Sequence, residues 1–340
     1  MLTLIGPFIS LALFAVLSTS APVQTPAQAT DDYVVYAAGA PRTLDAMLDD
    51  CAQADVVFVG ENHDDKRAHA LELAILEGLH RREPTLTFSL EMFERDVQGV
   101  LDEYLQGFIT ETQFLQAARP WPNYKEDYRP LIEYCKEQHI PVVAANAPRR
   151  YVNIVSRKGR EALLALPPKS KANLAPLPYS MDLPPDYEKQ LDTIFGTHDE
   201  DVRKQDEDAR KKEAAGAQPG GNGKETSVAQ KAEPTPPTAP AMPSAANMKQ
   251  AQALWDATMA DSIFRAMRAR RGRKILQING GMHSDSGYGI VARLRKSAPN
   301  LRIRIISIKP DADFAAMPAG KYSGLGDFVI LTRPNSSSLP

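Results

Sequence analysis

The chain has 340 residues, a formal net charge of -2, 43% hydrophobic residues and 24% charged ones. This suits one large domain or two ordinary ones with a buried core and a water-soluble surface. The near-neutral balance gives no global field to gather nucleic acid or an anionic membrane, so no nucleic acid is expected as a partner.

The first stretch, residues 1–29, contains no Asp, Glu, Lys or Arg. Its apolar run from Leu2 to Leu17 gives way to Ala27-Gln28-Ala29, the small-x-small pattern of a signal-peptide cleavage site. The run is shorter than the ~20 apolar residues of a spanning helix. The sequence therefore predicts export by a cleaved signal peptide to the periplasm or cell envelope, with a mature protein peripheral to the membrane at most.

After it, short apolar runs alternate with amphipathic stretches. A strand at Val56–Gly60 leads into a helix over 66–82, which places Leu71, Ile75 and Leu79 on one face. Asp64 or Asp65 can cap that helix. A strand at Thr85–Met92 is followed by helices over 97–106, 111–118 and 126–139, then a strand at Pro141–Asn146. Pro167–Phe195, with its prolines and Tyr179 and Tyr187, reads as a lid. Residues 199–247 run from mixed charges into Gly, Pro, Ala, Thr and Lys, too poor in large apolar groups to offset ordering entropy. This disordered insertion splits one domain into residues 30–198 and 248–335. A helix over 248–271 follows, built on Leu254, Thr258, Ile263 and Met267. Strands at Lys274–Gly280, Leu301–Ile308 and Phe328–Thr332 complete the pattern. The β-α-β-α order predicts an α/β fold, three-layer α/β/α with a mostly parallel sheet. Cys51 and Cys135 fall near the amino-terminal edge of that sheet. Two separately buried thiols are favoured over a bridge, which an exported chain also permits.

Four strands end in polar clusters: Gly60-Glu61-Asn62-His63, Ser89-Leu90-Glu91-Met92-Phe93, Asn146-Ala147-Pro148-Arg149-Arg150 and Asn279-Gly280-Gly281-Met282-His283. A parallel sheet gathers such ends into one crevice, where ligands bind in open α/β folds. The first and fourth share G-x-x-H, in which glycine lets the chain turn and the histidine face back over the edge. Glu61, His63, Glu91 and His283 together form a plausible ligand set for a divalent metal ion. In a hydrolase, Glu61 and Glu91 would instead serve as general bases, raised in pKa by burial and mutual repulsion.

His69 sits early enough in its helix to point at the same crevice or simply at solvent. His80, His139 and His198 read as structural. Arg149 and Arg150 suit an acidic ligand group, or are solvated charge. Trp121, Tyr124 and Tyr128 suit the wall of an apolar pocket, in part as ordinary core. P-loop, G-x-G-x-x-G, G-x-S-x-G and H-E-x-x-H motifs are all missing, which removes nucleotide, serine-hydrolase and zincin chemistry from the leading readings.

Several ordered motifs over Thr43 to Pro310 resemble the ChaN-like haem-binding family of the Tiki superfamily. They are Gly60-Glu61-Asn62-His63 with His69, Leu90-Glu91-Met92-Phe93 with Gln98 and Tyr104, Trp121…Tyr128-Arg129-Pro130-Leu131, Ala145-Asn146-Ala147-Pro148, Ala253-Leu254-Trp255-Asp256-Ala257-Thr258-Met259-Ala260, and Gly280-Gly281-Met282-His283. The resemblance implies haem binding at the cell envelope, a role in haem and iron uptake, and a homodimer around the haem. It also implies cofactor contacts from His63, His69, Tyr128, Arg129, Arg149 and His283, with Tyr128, Tyr179 or Tyr187 as axial-ligand candidates. The superfamily's metal-dependent peptidase and esterase-like branches keep a metal-dependent hydrolase as the alternative. Members are often lipoproteins, and no cysteine stands just after the apolar run to carry a lipid. The long insertion is extra.

Overall fold

The computed structural model describes residues 32–196, 243–269, 273–316 and 320–334. The expected signal peptide, His198 and nearly all of the 199–247 insertion lie outside the described residues.

An eight-stranded sheet runs through the fold in the order β2-β1-β8-β7-β3-β6-β4-β5. Its strands are β1 (Tyr33–Ala37), β2 (Ala40–Arg42), β3 (Val56–Glu61), β4 (Thr87–Glu94), β5 (Val142–Asn146), β6 (Ile275–Gly280), β7 (Ile303–Pro310) and β8 (Phe328–Thr332). The six from β3 to β8 pair in parallel. The expected mostly parallel α/β sheet is present.

β1 and β2 form an antiparallel edge that the periodicity reading passed over. The three-residue β2 is too short to show alternation, and Pro41 suits an edge position, where no ladder donor is needed. The hairpin turns through Ala38 (φ 49°) and Gly39 (φ 79°), the left-handed pair a two-residue turn requires.

The helices, in chain order, are α1 (Leu44–Cys51), α2 (Lys66–Arg82), α3 (Gln98–Leu105), α4 (Glu111–Ala118), α5 (Arg129–Glu137), α6 (Arg149–Lys158), the short α7 (Pro168–Lys171), α8 (185–196), α9 (Ala245–Ala269) and α10 (Gly289–Ser297). The sequence pattern does not reveal α1, α6, α7, α8 or α10. Asp65 caps α2 through its side chain, which accepts from Arg67 N. The expected 126–139 helix divides into a wide turn at Tyr124–Tyr128 and α5, with Pro130 in the first turn, where its missing N–H costs nothing. α9 starts inside the interval assigned to the insertion.

Strand alternation sorts two core layers. Val57 and Val59 of β3, Leu276 and Ile278 of β6, and Phe88, Leu90 and Met92 of β4 pack with α1 to α5. Val56, Phe58, Ile275, Ile303 and Ile305 face α9 and α10. Both sheet faces are thus covered, as a parallel sheet requires. The lid is itself anchored: Leu174, Ala175 and Tyr179 share an apolar cluster with α6 and the first half of α9. Cys51 and Cys135 are buried free thiols, which sets aside the bridge. Burial pushes the Cys51 thiol up to about 12, so it stays protonated.

Candidate functional site

Period-two alternation decides where each acid points. Glu61 lies two residues beyond Val59, so it faces the α2 layer. Glu91 lies between Leu90 and Met92, so it faces α9 instead. The two carboxylates that the sequence groups together therefore flank opposite faces of one sheet edge. A crevice of about 620 Å³ opens there, lined by residues that include Glu61, His63, Gly280, Met282, His283 and Lys309.

On the α2 side, Glu61 Oε1 meets His63 Nδ1 at 2.6 Å and accepts from the Tyr128 hydroxyl at 2.7 Å. The edge of Trp121 packs on the imidazole at 4.8 Å. With Nδ1 held, Nε2 is turned over β6, where a Cβ built on Gly280 would lie 2.8 Å from it. Only a glycine lets His63 reach across. Its side chain remains 41% exposed and lines the crevice.

The α9 side repeats the device. His283 Nδ1 meets Asp256 Oδ1 at 2.6 Å, and the Tyr187 hydroxyl donates to Asp256 Oδ2 at 2.9 Å. His283 Nε2 lies 3.4 Å from Glu91 Oε1, while Glu91 Oε2 accepts from Gly280 N at 2.8 Å. All of these groups are buried.

The charges follow from these contacts. Burial alone would lower the His283 imidazole, but Glu91 and Asp256 outweigh it and raise it to about 10. His63 is also raised, because its hydrogen bond to Glu61 and the charges of Glu91 and Glu61 exceed the cost of its burial. Burial would raise Glu91, yet His283, His63 and the Gly280 amide hold it below its usual range. Glu61 is likewise held low despite burial, by hydrogen bonds with Glu72, His63 and His69. The expected elevation of Glu61 and Glu91 by mutual repulsion is not found. They point to opposite faces, and each has its own histidine.

The remaining candidates divide. Buried His69 sits beneath the crevice rather than in its lining: Nε2 bonds the His63 carbonyl at 3.1 Å, and Nδ1 lies 3.1 Å from Glu72 Oε2 and 3.3 Å from Glu61 Oε2. Tyr128 and Tyr187 are fully buried and spend their hydroxyls on Glu61 and Asp256, while Tyr179 donates to Gln250 O at 2.8 Å. Arg129 is held by Glu111 at 2.5 and 2.9 Å. Arg149 is exposed at the start of α6, and Arg150 is held by Asp96 at 2.5 Å. Neither arginine nor Arg129 lines the crevice. Among the described residues, the metal-type donors that come within 4.8 Å of one another are Glu61, His69 and Glu72, not the four named from sequence.

Sequence reading missed Asp256, Glu72, Tyr187's role and Lys309. Asp256 and Glu72 each interrupt an apolar helix face, and a buried acid at such a position was the available signal. Lys309 lines the crevice at the end of β7, paired with Asp285 at 2.8 Å.

Fold and site together define an α/β protein with a two-histidine, two-carboxylate crevice at the carboxyl edge of its sheet. Residues 47–294 match the model of the family described as haem-binding uptake, Tiki superfamily, ChaN, and the chain belongs to that family. A solved structure described as cofacial heme binding to ChaN of Campylobacter jejuni matches 91% of this chain and 100% of its own, with TM-score 0.61 and 16% identity, which supports the shared fold. A structure of the erythromycin esterase EreC in its open conformation matches 85% of this chain and 78% of its own at 13% identity, with TM-score 0.42. Protein RETICULATA-RELATED 5, chloroplastic, of Arabidopsis thaliana is 28% identical over 120 residues, 32% of this chain and 16% of that protein. The match thus spans about a sixth of that relative's length.

Proposed function

We propose that this protein binds haem in the crevice at the carboxyl edge of its sheet and serves haem or iron uptake at the cell envelope after export. The observation that carries the reading, within a family described by haem binding and uptake, is His63: a half-exposed imidazole with Nδ1 fixed by Glu61 and Nε2 turned to the crevice. A haem site needs an axial donor, a flat wall and a cation for the propionates. His63 Nε2 would supply the donor. The Gly280-Gly281 backbone with Met282 and Pro310 would supply the wall, and Lys309 the cation. The buried, engaged tyrosines fit the donor role less well than His63. Bound haem brings the iron, and the protein's part is to orient it and shield it. A second copy of the chain, laid over the open side of the crevice, would complete a homodimer. Among the described residues no helix is long and apolar enough to cross a membrane.

Haemin titration followed by absorbance tests the reading. Wild-type protein is expected to bind stoichiometrically, and His63→Ala at least tenfold more weakly with its fold intact, since the side chain is 41% exposed. His80→Ala serves as the control, because His80 bonds the Tyr134 hydroxyl on the α2–α5 surface. Equal affinity in wild type and His63→Ala removes His63 as the donor. No haemin binding by wild type removes the function.

A further inference from the structure

Beneath the crevice lies a cluster that the haem reading does not use. His69, Glu61 and Glu72 are 5%, 2% and 0% exposed. The bond from His69 Nε2 to the His63 carbonyl fixes the ring so that Nδ1 faces the buried acids. Nδ1 lies 3.1 Å from Glu72 Oε2 and 3.3 Å from Glu61 Oε2. Glu61 Oε2 and Glu72 Oε1 have no hydrogen-bond partner although both are fully buried. Three donor atoms thus converge away from water, within 4.8 Å of one another; the proton that the two acids hold on the imidazole, raised to about 11 despite burial, occupies the place an ion would take.

The geometry points to a divalent transition-metal site with Glu61, His69 and Glu72 as its ligands, separate from the crevice above it. Four-coordinate zinc holds nitrogen and oxygen donors at roughly 2.0–2.2 Å, which puts neighbouring donors about 3.3 Å apart. The separations from His69 Nδ1, 3.1 and 3.3 Å, lie close to that value. One imidazole with two carboxylates suits zinc, manganese or ferrous iron, whereas calcium takes six to eight oxygens. The outer contacts also fit. The His63 carbonyl holds the far nitrogen of His69, and Tyr128 holds the other oxygen of Glu61. Because Glu61 binds the cluster through Oε2 and orients His63 through Oε1, an ion here would fix the crevice donor from below.

The test uses the full chain, stripped with a chelator and titrated calorimetrically with Zn²⁺ and separately with Mn²⁺ at neutral pH. One equivalent is expected to bind. Glu72→Gln should weaken it at least 30-fold, while Glu91→Gln and His283→Ala stay within threefold of wild type. Where Glu72→Gln does not fold, X-ray absorption of the one-equivalent Co²⁺ complex of wild type replaces it, and one imidazole among oxygen donors is expected. Two imidazoles, or a loss of binding in the His283 and Glu91 variants, would put the ion in the crevice and overturn the assignment. No binding of either metal also overturns it, since protons alone then fill the cluster. None of these outcomes depends on whether haemin binds.

Discussion

Asp256→Asn removes one charge and no volume from the most enclosed part of the site. Asp256 is 0% exposed, with its oxygens committed to His283 Nδ1 at 2.6 Å and the Tyr187 hydroxyl at 2.9 Å. Glu91 and Asp256 raise the His283 imidazole from its ordinary 6.5 to about 10 in the folded protein. A group raised on folding stabilises the fold fully below its unfolded pKa, and that stability is lost as pH rises through the folded value. The His283 contribution is therefore on the order of 5 kcal/mol near pH 6, about 3 near pH 8 and under about 1 near pH 10. Asp256 shares the upward pull with Glu91, so the asparagine variant is expected to lose roughly half, ~2–3 kcal/mol near pH 6. At about 2–4 °C per kcal/mol, that is a fall in Tm of roughly 5–10 °C. Thermal unfolding of both proteins from pH 6 to 10 checks it, with the gap closing as pH rises. Histidine NMR should show the His283 pKa falling in the variant. A pH-independent gap, or an unmoved His283 resonance, refutes the reasoning.

Gly280→Ala adds a single methyl where His63 crosses β6, at 2.8 Å from Nε2 and 2.9 Å from Cε1. His63 must swing away, so haemin affinity should drop by at least fivefold with little change in Tm. Unchanged affinity would show that Nε2 is not aimed over Gly280. Amino-terminal sequencing of the protein recovered after secretion should begin at about Thr30, and a chain starting at Met1 refutes cleavage at Ala29.

Much of this architecture is legible in the sequence, because a parallel strand buried on both faces must be apolar throughout. Val56-Val57-Phe58-Val59 can hardly be read otherwise. The positions of Glu61, His63 and His283 at strand ends were legible for the same reason. What stayed hidden depends on distance in sequence. The Arg129–Glu111 pair joins two helices, so no local pattern reveals that the guanidinium is already engaged. α6 was hidden because its first two residues, Arg149 and Arg150, looked like ligand cations after a strand, when they are the exposed first turn of a helix. The opposite facing of Glu61 and Glu91 was readable in principle from β-strand parity. It needed the strand registers, which set Gly60 beside Asn279 and Leu90 beside Ile278.

That parity explains why the crevice can hold so many ionisable groups. Each half is built alike, with a buried tyrosine hydroxyl donating to a buried carboxylate that holds Nδ1 of a G-x-x-H histidine. The chain thus brings two imidazoles to one opening from opposite faces, with Glu61 beside His63 and Asp256 and Glu91 beside His283. Glu61, Glu91 and Asp256 on a single face would have repelled one another and been driven toward neutrality. The halves differ in one respect. His63 is 41% exposed on its side chain, whereas His283 is 6% exposed and sits between Asp256 and Glu91. A histidine locked between two carboxylates gives up its place only at the cost of both contacts. One that keeps a single carboxylate contact and an open nitrogen can exchange a proton for a ligand. Under the proposed haem reading, this asymmetry suits His63 to the incoming group and His283 to the frame that holds Glu91 and the glycine turn in place.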